Sequence, residues 1–163
     1  SLPLLSDNPR LVIVRTLSKS HSLAGLRVGL AFAHPAVAAE LAKVKDSYNL
    51  DRPAQAAAAA AIADTAHVRA NRDRIRATRA RFSAALARLG FAVPASQANF
   101  VFAAAGPGMP AARELYAALL GRGFLVRFFD KPGLDDGLRI SIGTDAEMDA
   151  LARILGDLVG RPA

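Results

Sequence analysis

A chain of 163 residues that is 52% hydrophobic and 21% charged, with a formal net charge of +7, can bury a real core and is no disordered tail. No run approaches the ~20 uninterrupted apolar residues of a membrane span, and no basic-then-apolar leader opens the chain, so the expectation is a cytoplasmic location with no membrane partner. Zero cysteines exclude a disulfide framework and a thiolate metal site.

In chain order, the turn cluster Ser6-Asp7-Asn8-Pro9 precedes a strand that begins near Leu11. A second apolar run, Val28 to Ala33, predicts another strand, and His34-Pro35 ends it. Both strands are expected to be buried. Between them lies the segment Thr16 to Gly29, whose single lysine, Lys19, is surrounded by the hydroxyls of Thr16, Ser18, Ser20 and Ser22 and followed by Arg27. Neutral donors and a planar guanidinium fork are phosphate-binding groups. An amine beside them points to a phosphorylated carbonyl compound. Gly25 fits a close backbone approach in such a loop, and Gly29 fits tight packing in the next strand.

Ser18-Lys19 followed by Leu23-Ala24-Gly25-Leu26-Arg27 and Gly29 resembles the cofactor-lysine segment of fold-type I pyridoxal-phosphate aminotransferases. The wording from Arg15 to Arg27 is most similar to the histidinol-phosphate aminotransferase branch of that family. The resemblance implies an α/β fold. Residues 1–50 would be the C-terminal part of the pyridoxal-phosphate-binding large domain, with few strands, and residues 51–163 the small α/β C-terminal domain. It also implies that Lys19 is the catalytic lysine that attaches pyridoxal 5'-phosphate, and that Thr16, Ser18 and Arg27 hold the cofactor phosphate. The chain opens on Ser1 and two strands make a poor sheet, so it is expected to be the later part of a longer chain, and the resemblance implies that the full-length protein is a homodimer. The upstream half would carry the ring-stacking aromatic residue and the acid for the pyridine nitrogen, and these 163 residues alone are expected to be inactive.

From Pro35 to Asp46, Val37, Leu41 and Val44 recur at helical spacing. Ser47 to Pro53 resembles the family's crossing between domains, with Tyr48 and Asn49 read as hinge packing. Ala56 to Ala61, six consecutive alanines, predict a tightly packed helix. Seven arginines lie between Arg69 and Arg88 against the two acids Asp64 and Asp73, which raises nucleic acid as a partner. Ile75, Phe82, Leu86 and Leu89 form an apolar stripe, however, and no stacking aromatics interleave with the arginines. An amphipathic helix with a solvated basic face is the reading adopted, with no nucleic-acid partner. Gly90 stops that helix. Phe91 to Val93 and Asn99 to Phe102 read as strands, Ala111 to Leu120 as a helix, Phe124 to Phe129 and Leu138 to Ile142 as strands, and Thr144-Asp-Ala-Glu147 as the cap of a final helix to about Val159.

Arg127 and Arg139 each stand among apolar strand residues, where a cleft-facing position makes a rigid fork for an anion. Gly137-Leu-Arg-Ile-Ser-Ile-Gly-Thr resembles the family's carboxylate-binding motif. On that resemblance Arg139 clamps the substrate α-carboxylate and Arg127 the substrate's own phosphate. The implied reaction is amine transfer from histidinol phosphate to 2-oxoglutarate, so the partners are a small amino donor and a 2-oxo acid. Aromatic or other aminotransferases of the same fold, phosphothreonine decarboxylases and a non-catalytic binding or regulatory relative remain alternatives. Other chemistry finds no motif. His21, His34 and His67 lack metal-ligand spacing, and neither a nucleophile elbow nor a Gly-rich phosphate loop with lysine occurs.

Overall fold

A four-residue helix, α1 (Leu4–Asp7), is closed by the Asn8 side-chain amide donating to the Leu4 carbonyl at 2.9 Å, and the chain then extends into the first aliphatic run. That run forms β1 (Val12–Thr16). The second forms β2 (Gly29–Ala33), antiparallel to it, with Val12 opposite Ala33 and Thr16 opposite Gly29. The computed structural model describes residues 2–162. They form two compact units that divide between Ala70 and Asn71.

In the first unit, α2 (Pro35–Val44) starts with proline in its first turn, where the missing N–H costs no bond. α3 (Arg52–Ala63) is capped by the Asp51 carboxylate, which accepts from the Ala54 N–H at 2.7 Å. The alanine run has a packing reason: Ala54 and Ala58 are buried against Leu17 and Val28, and a side chain larger than methyl would hold the helix away. This small cluster is the first unit's core. Three expectations fail here. β1 and β2 are largely exposed, with Val14 at 70% and Ile13 alone buried among their residues, because two strands are too few to be covered on both faces among the described residues. On α2, Leu41 and Val44 are exposed and no residue is buried. Tyr48 is 85% exposed rather than packed in a hinge.

α4 (Thr65–Arg88) runs from the first unit into the second, its start marked by the Asp64 carboxylate accepting from the His67 N–H at 3.0 Å. Phe82, Leu86 and Leu89 are buried, as the stripe predicts, and Gly90 takes φ +95°, the left-handed stop that a side chain resists. The arginines are spent on the protein itself. Arg79 donates to the Ala98 carbonyl at 2.7 Å, Arg81 reaches Asp145 at 2.6 Å and also Asp149, and Arg72 pairs with Asp73 at 3.0 Å.

The second unit holds β3 (Phe100–Ala104), α5 (Ala112–Leu120), β4 (Arg127–Phe128), β5 (Gly137–Ser141) and α6 (Asp145–Val159). Its sheet is antiparallel in the order β3-β5-β4. Val101, Ala103, Leu138 and Ile140 point to one face of it and pack with Phe82, Leu86, Leu115, Leu119, Leu151 and Leu155 into a continuous core. The expected strand at Phe91–Val93 is only a single bridge, Ala92 to Ala104, since Pro94 has no N–H to continue a ladder. The expected strand Phe124–Phe129 pairs only at Arg127 and Phe128. α6 starts with a full capping box: Thr144 Oγ1 accepts from the Glu147 N–H at 3.3 Å, and Glu147 Oε2 accepts from the Thr144 N–H at 2.7 Å.

Candidate active site

The lysine loop is built on one apolar anchor. Leu17, 3% exposed, sits in the core with Val28, Ala54 and Ala58, while its N–H donates to the Val28 carbonyl at 3.2 Å. Its carbonyl accepts from the N–H groups of His21 (3.3 Å) and Leu23 (3.2 Å), so the backbone turns tightly around this residue. The apolar alternation that buries Leu17 turns its neighbours outward. Thr16 and Lys19 are exposed and Ser18 is half-buried.

The hydroxyls are organised. Thr16 Oγ1 donates to Ser18 Oγ at 2.8 Å and accepts from the Ser18 N–H at 3.1 Å. Ser20 Oγ donates to the Thr16 carbonyl at 3.4 Å and lies 2.9 Å from His21 Nδ1. A 3-10 turn, Ala24–Leu26, leads to Arg27, whose guanidinium donates to the Ala24 carbonyl at 3.3 Å. Ser22 and Arg27 hold φ of +57° and +55°, left-handed conformations that cost a side-chain-bearing residue of order 1–3 kcal/mol and cluster at ligand-binding loops. Gly29 behaves as expected, for a Cβ there would lie 3.2 Å from the Arg15 carbonyl oxygen. Gly25 does not. Nothing lies within 4 Å of its would-be Cβ among the described residues, so packing within the protein does not require glycine there. The first unit thus brings Thr16 and Ser18 into contact, with Lys19 next in chain and Arg27 at the loop's far end.

The second unit brings the other two arginines together. Arg127 and Arg139 are directly opposite in the β4–β5 ladder, and Arg139 is also opposite Phe102 on β3. This row lies on the sheet face away from the core. Like charges in opposing positions are destabilising, so the pair is a feature that packing alone does not reward. Arg139 is half-buried and lies 4.0 Å over the Phe100 ring, and Arg127 lies 5.4 Å from the Phe129 ring. Gly137 makes room for this arrangement, because a Cβ there would meet the Phe102 ring at 2.6 Å. Sequence reading missed the role of Phe100. Its only signal was the alternation Phe100-Val101-Phe102, which places both rings on one strand face.

A further polar cluster braces α4 against α6. Thr78, buried, donates to Asp145 at 2.7 Å, and this bond, followed by that from Arg81, holds the Asp145 carboxyl below the usual range. The same contacts with Asp145 and Asp149 raise Arg81 further above its ordinary value. Among the described residues, no group of three or more His, Asp or Glu side chains is arranged to hold a metal ion, and no helix is long and apolar enough to cross a membrane.

Comparison with known proteins places this geometry. A histidinol-phosphate aminotransferase of Synechocystis sp. is 49% identical over 156 residues, 96% of this chain and 44% of the relative. One from Gluconacetobacter diazotrophicus is 49% identical over 100% of the chain and 46% of its own length. The crystal structure of histidinol-phosphate aminotransferase from Sinorhizobium meliloti, in complex with pyridoxal-5'-phosphate, superposes with a TM-score of 0.84 at 32% identity, covering 94% of this chain and 42% of that one. The chain therefore spans less than half the length of the curated relatives it matches, and its α/β fold is the corresponding stretch of theirs. The sequence profile of the family aminotransferase class I and II matches residues 1–155, and the chain belongs to that family.

Proposed function

We propose that the protein bearing this chain is a pyridoxal-phosphate-dependent aminotransferase that moves the amino group of histidinol phosphate to 2-oxoglutarate, a step of histidine biosynthesis. The observation that carries this reading is the near-half identity, along almost the whole chain, to relatives named for that donor. The lysine loop is chemically suited to the cofactor. A phosphate wants several hydrogen-bond donors and a cation, and the loop offers two hydroxyls 2.8 Å apart with Arg27 on the same segment. An aldehyde wants an amine, and the exposed Lys19 has one.

When bound, the cofactor supplies an electrophilic carbonyl and a sink for the electron pair left when a proton departs the amine-bearing carbon. Lys19 would hold the cofactor through its Nζ at rest and be set free when the substrate amine takes its place. Released, the same nitrogen accepts the proton from the substrate carbon and delivers it to its new position. Thr16, Ser18 and Arg27 fix the phosphate end, so Lys19 Nζ meets a constrained target. Arg139 clamps the α-carboxylate of the oxo acid and Arg127 the phosphate of the donor. Two arginines rooted at opposite positions of one ladder suit this pair of substrates, one carrying a phosphate and the other two carboxylates. Residues 1–50 belong on this reading to the cofactor-binding domain and residues 51–163 to the small domain.

Lys19→Ala in the full-length protein tests the reading. Added cofactor gives the wild type a near-visible absorbance that borohydride fixes to the chain, and the variant shows none and transfers no amine. An unchanged spectrum refutes the lysine's role. Amine transfer from aromatic amino acids but not from histidinol phosphate refutes the substrate.

A further inference from the structure

Phe100, Phe102, Arg139 and Arg127 form one outward face of the three-stranded sheet, and that face contains an electrostatic conflict. Two guanidiniums start from directly opposite positions on β4 and β5. Each leans onto an aromatic ring, and the rings lie in opposite directions. Phe100 is on β3, paired with Ser141, toward the C-terminal end of β5. Phe129 follows Phe128, which pairs with Leu138, and so lies toward the other end. The tighter contact is at Arg139, whose Cζ is 4.0 Å from the ring centroid and whose side chain is half-buried. A guanidinium stacked flat on a ring keeps its N–H donors at its edge, free for an in-plane carboxylate or phosphate.

Resting on the assignment of Arg139 above, we propose that Phe100 is a positioning residue for anion binding: its ring face draws the Arg139 guanidinium away from Arg127 and presents the donor edge to the substrate anion. Without the ring, Arg139 keeps its charge but samples many rotamers, so the affinity for anions falls while the chemical step, which Lys19 performs, does not change. On the same face, the missing Cβ of Gly137 leaves room for the Phe102 ring, since a Cβ there would meet it at 2.6 Å.

The test uses the full-length holoprotein and compares Phe100→Leu, Phe100→Tyr and Arg139→Gln. Inorganic phosphate and glutarate serve as non-reacting anions, with dissociation constants read from titration of the cofactor absorbance. Phe100→Leu is expected to weaken glutarate and raise KM for 2-oxoglutarate about two- to fivefold, the range of a partly exposed cation–π contact, with kcat within twofold and phosphate, assigned to Arg127, the less affected of the two anions. Phe100→Tyr, which keeps the ring face, restores the wild-type values. If Phe100→Leu does not fold, Phe100→Met supplies the volume without the ring and carries the same expectation. Unchanged anion affinity in the leucine or methionine variant, with Arg139→Gln strongly weakened, overturns the positioning role alone. Unchanged affinity in Arg139→Gln overturns the underlying assignment and the role of Phe100 with it.

Discussion

Replacing Arg127 with threonine should make the protein more stable, an unusual expectation for loss of a charged side chain. Arg127 is exposed and directly opposite Arg139, and threonine suits a strand at least as well. In water two unit charges repel by about 0.8 kcal/mol at 5 Å and about 0.4 kcal/mol at 10 Å, so removing one gives back about 0.4–0.8 kcal/mol. The loss of the longer, exposed contact of Arg127 with the Phe129 ring at 5.4 Å takes from this about 0.5 kcal/mol or less, leaving a net gain of a few tenths of a kcal/mol at most. Arg139→Thr relieves the same repulsion but loses the stack on Phe100, worth about 0.5–1 kcal/mol, and its net effect is near zero or slightly destabilising. Urea unfolding at low ionic strength separates the two variants. In 1 M salt the screening length is about 3 Å, and the gain from Arg127→Thr should shrink below about 0.2 kcal/mol. Added phosphate should stabilise the wild type more than Arg127→Thr, because the anion relieves in the wild type what the mutation relieves in the variant. A variant no more stable than wild type at low salt, or a gain that persists in 1 M salt, refutes the electrostatic account.

Leu17→Ala should cost about 2–5 kcal/mol in the stability of the first unit, since it empties the centre of a small cluster whose other members are largely alanines. The same change loosens the turn carrying Ser18 and Lys19, so cofactor retention, followed by dialysis and absorbance, should fall with it, and undiminished retention would detach the loop from its anchor. Thr144→Ala should cost about 1 kcal/mol at neutral pH through loss of the α6 cap. The backbone N–H and hydroxyl of Thr144 hold Glu147 below its ordinary value of 4.5, as Thr78 and Arg81 hold Asp145 below 3.8. A carboxylate lowered in this way stabilises the fold above its unfolded value, and that contribution is lost as pH falls through the folded value. The backbone bond to Glu147 survives in Thr144→Ala, so only the hydroxyl's share is lost, and the gap between wild type and variant should narrow below about pH 4; a gap constant to pH 3 in chemical denaturation would show that the Thr144 hydroxyl–Glu147 carboxylate bond contributes nothing to the cap.

Local signals read well where one side chain sets the local outcome. Gly90 ends α4 at positive φ, Thr144 and Glu147 cap α6, and Pro35 opens α2, each by a mechanism confined to a few neighbouring atoms. Burial read less well. Val12, Val14 and Leu30 look like interior strand residues, and in this chain they are exposed, because burial depends on what covers a face rather than on the strand's own composition. The short edge strand β4 failed for a related reason: Leu125 and Val126 have strand-like side chains, but pairing needs a partner backbone, and β5 pairs with β4 only through Arg139 and Leu138.

The two halves of the candidate site differ in how far sequence could carry them. The lysine loop is local, so Thr16, Ser18, Lys19 and Arg27 are legible from spacing, and even the anchor Leu17 lies within the same segment. The anion-binding face is assembled from positions up to 39 residues apart, and its logic is visible only in register. Arg127 and Arg139 look like two independent strand arginines until the ladder sets them opposite each other, and Phe100 looks like core until the guanidinium is found on its ring. A like-charge pair on a half-buried sheet face is poor design for stability and sound design for an anion. A bound anion would offset the repulsion between the two guanidiniums, and that is what the phosphate arm of the Arg127→Thr experiment measures.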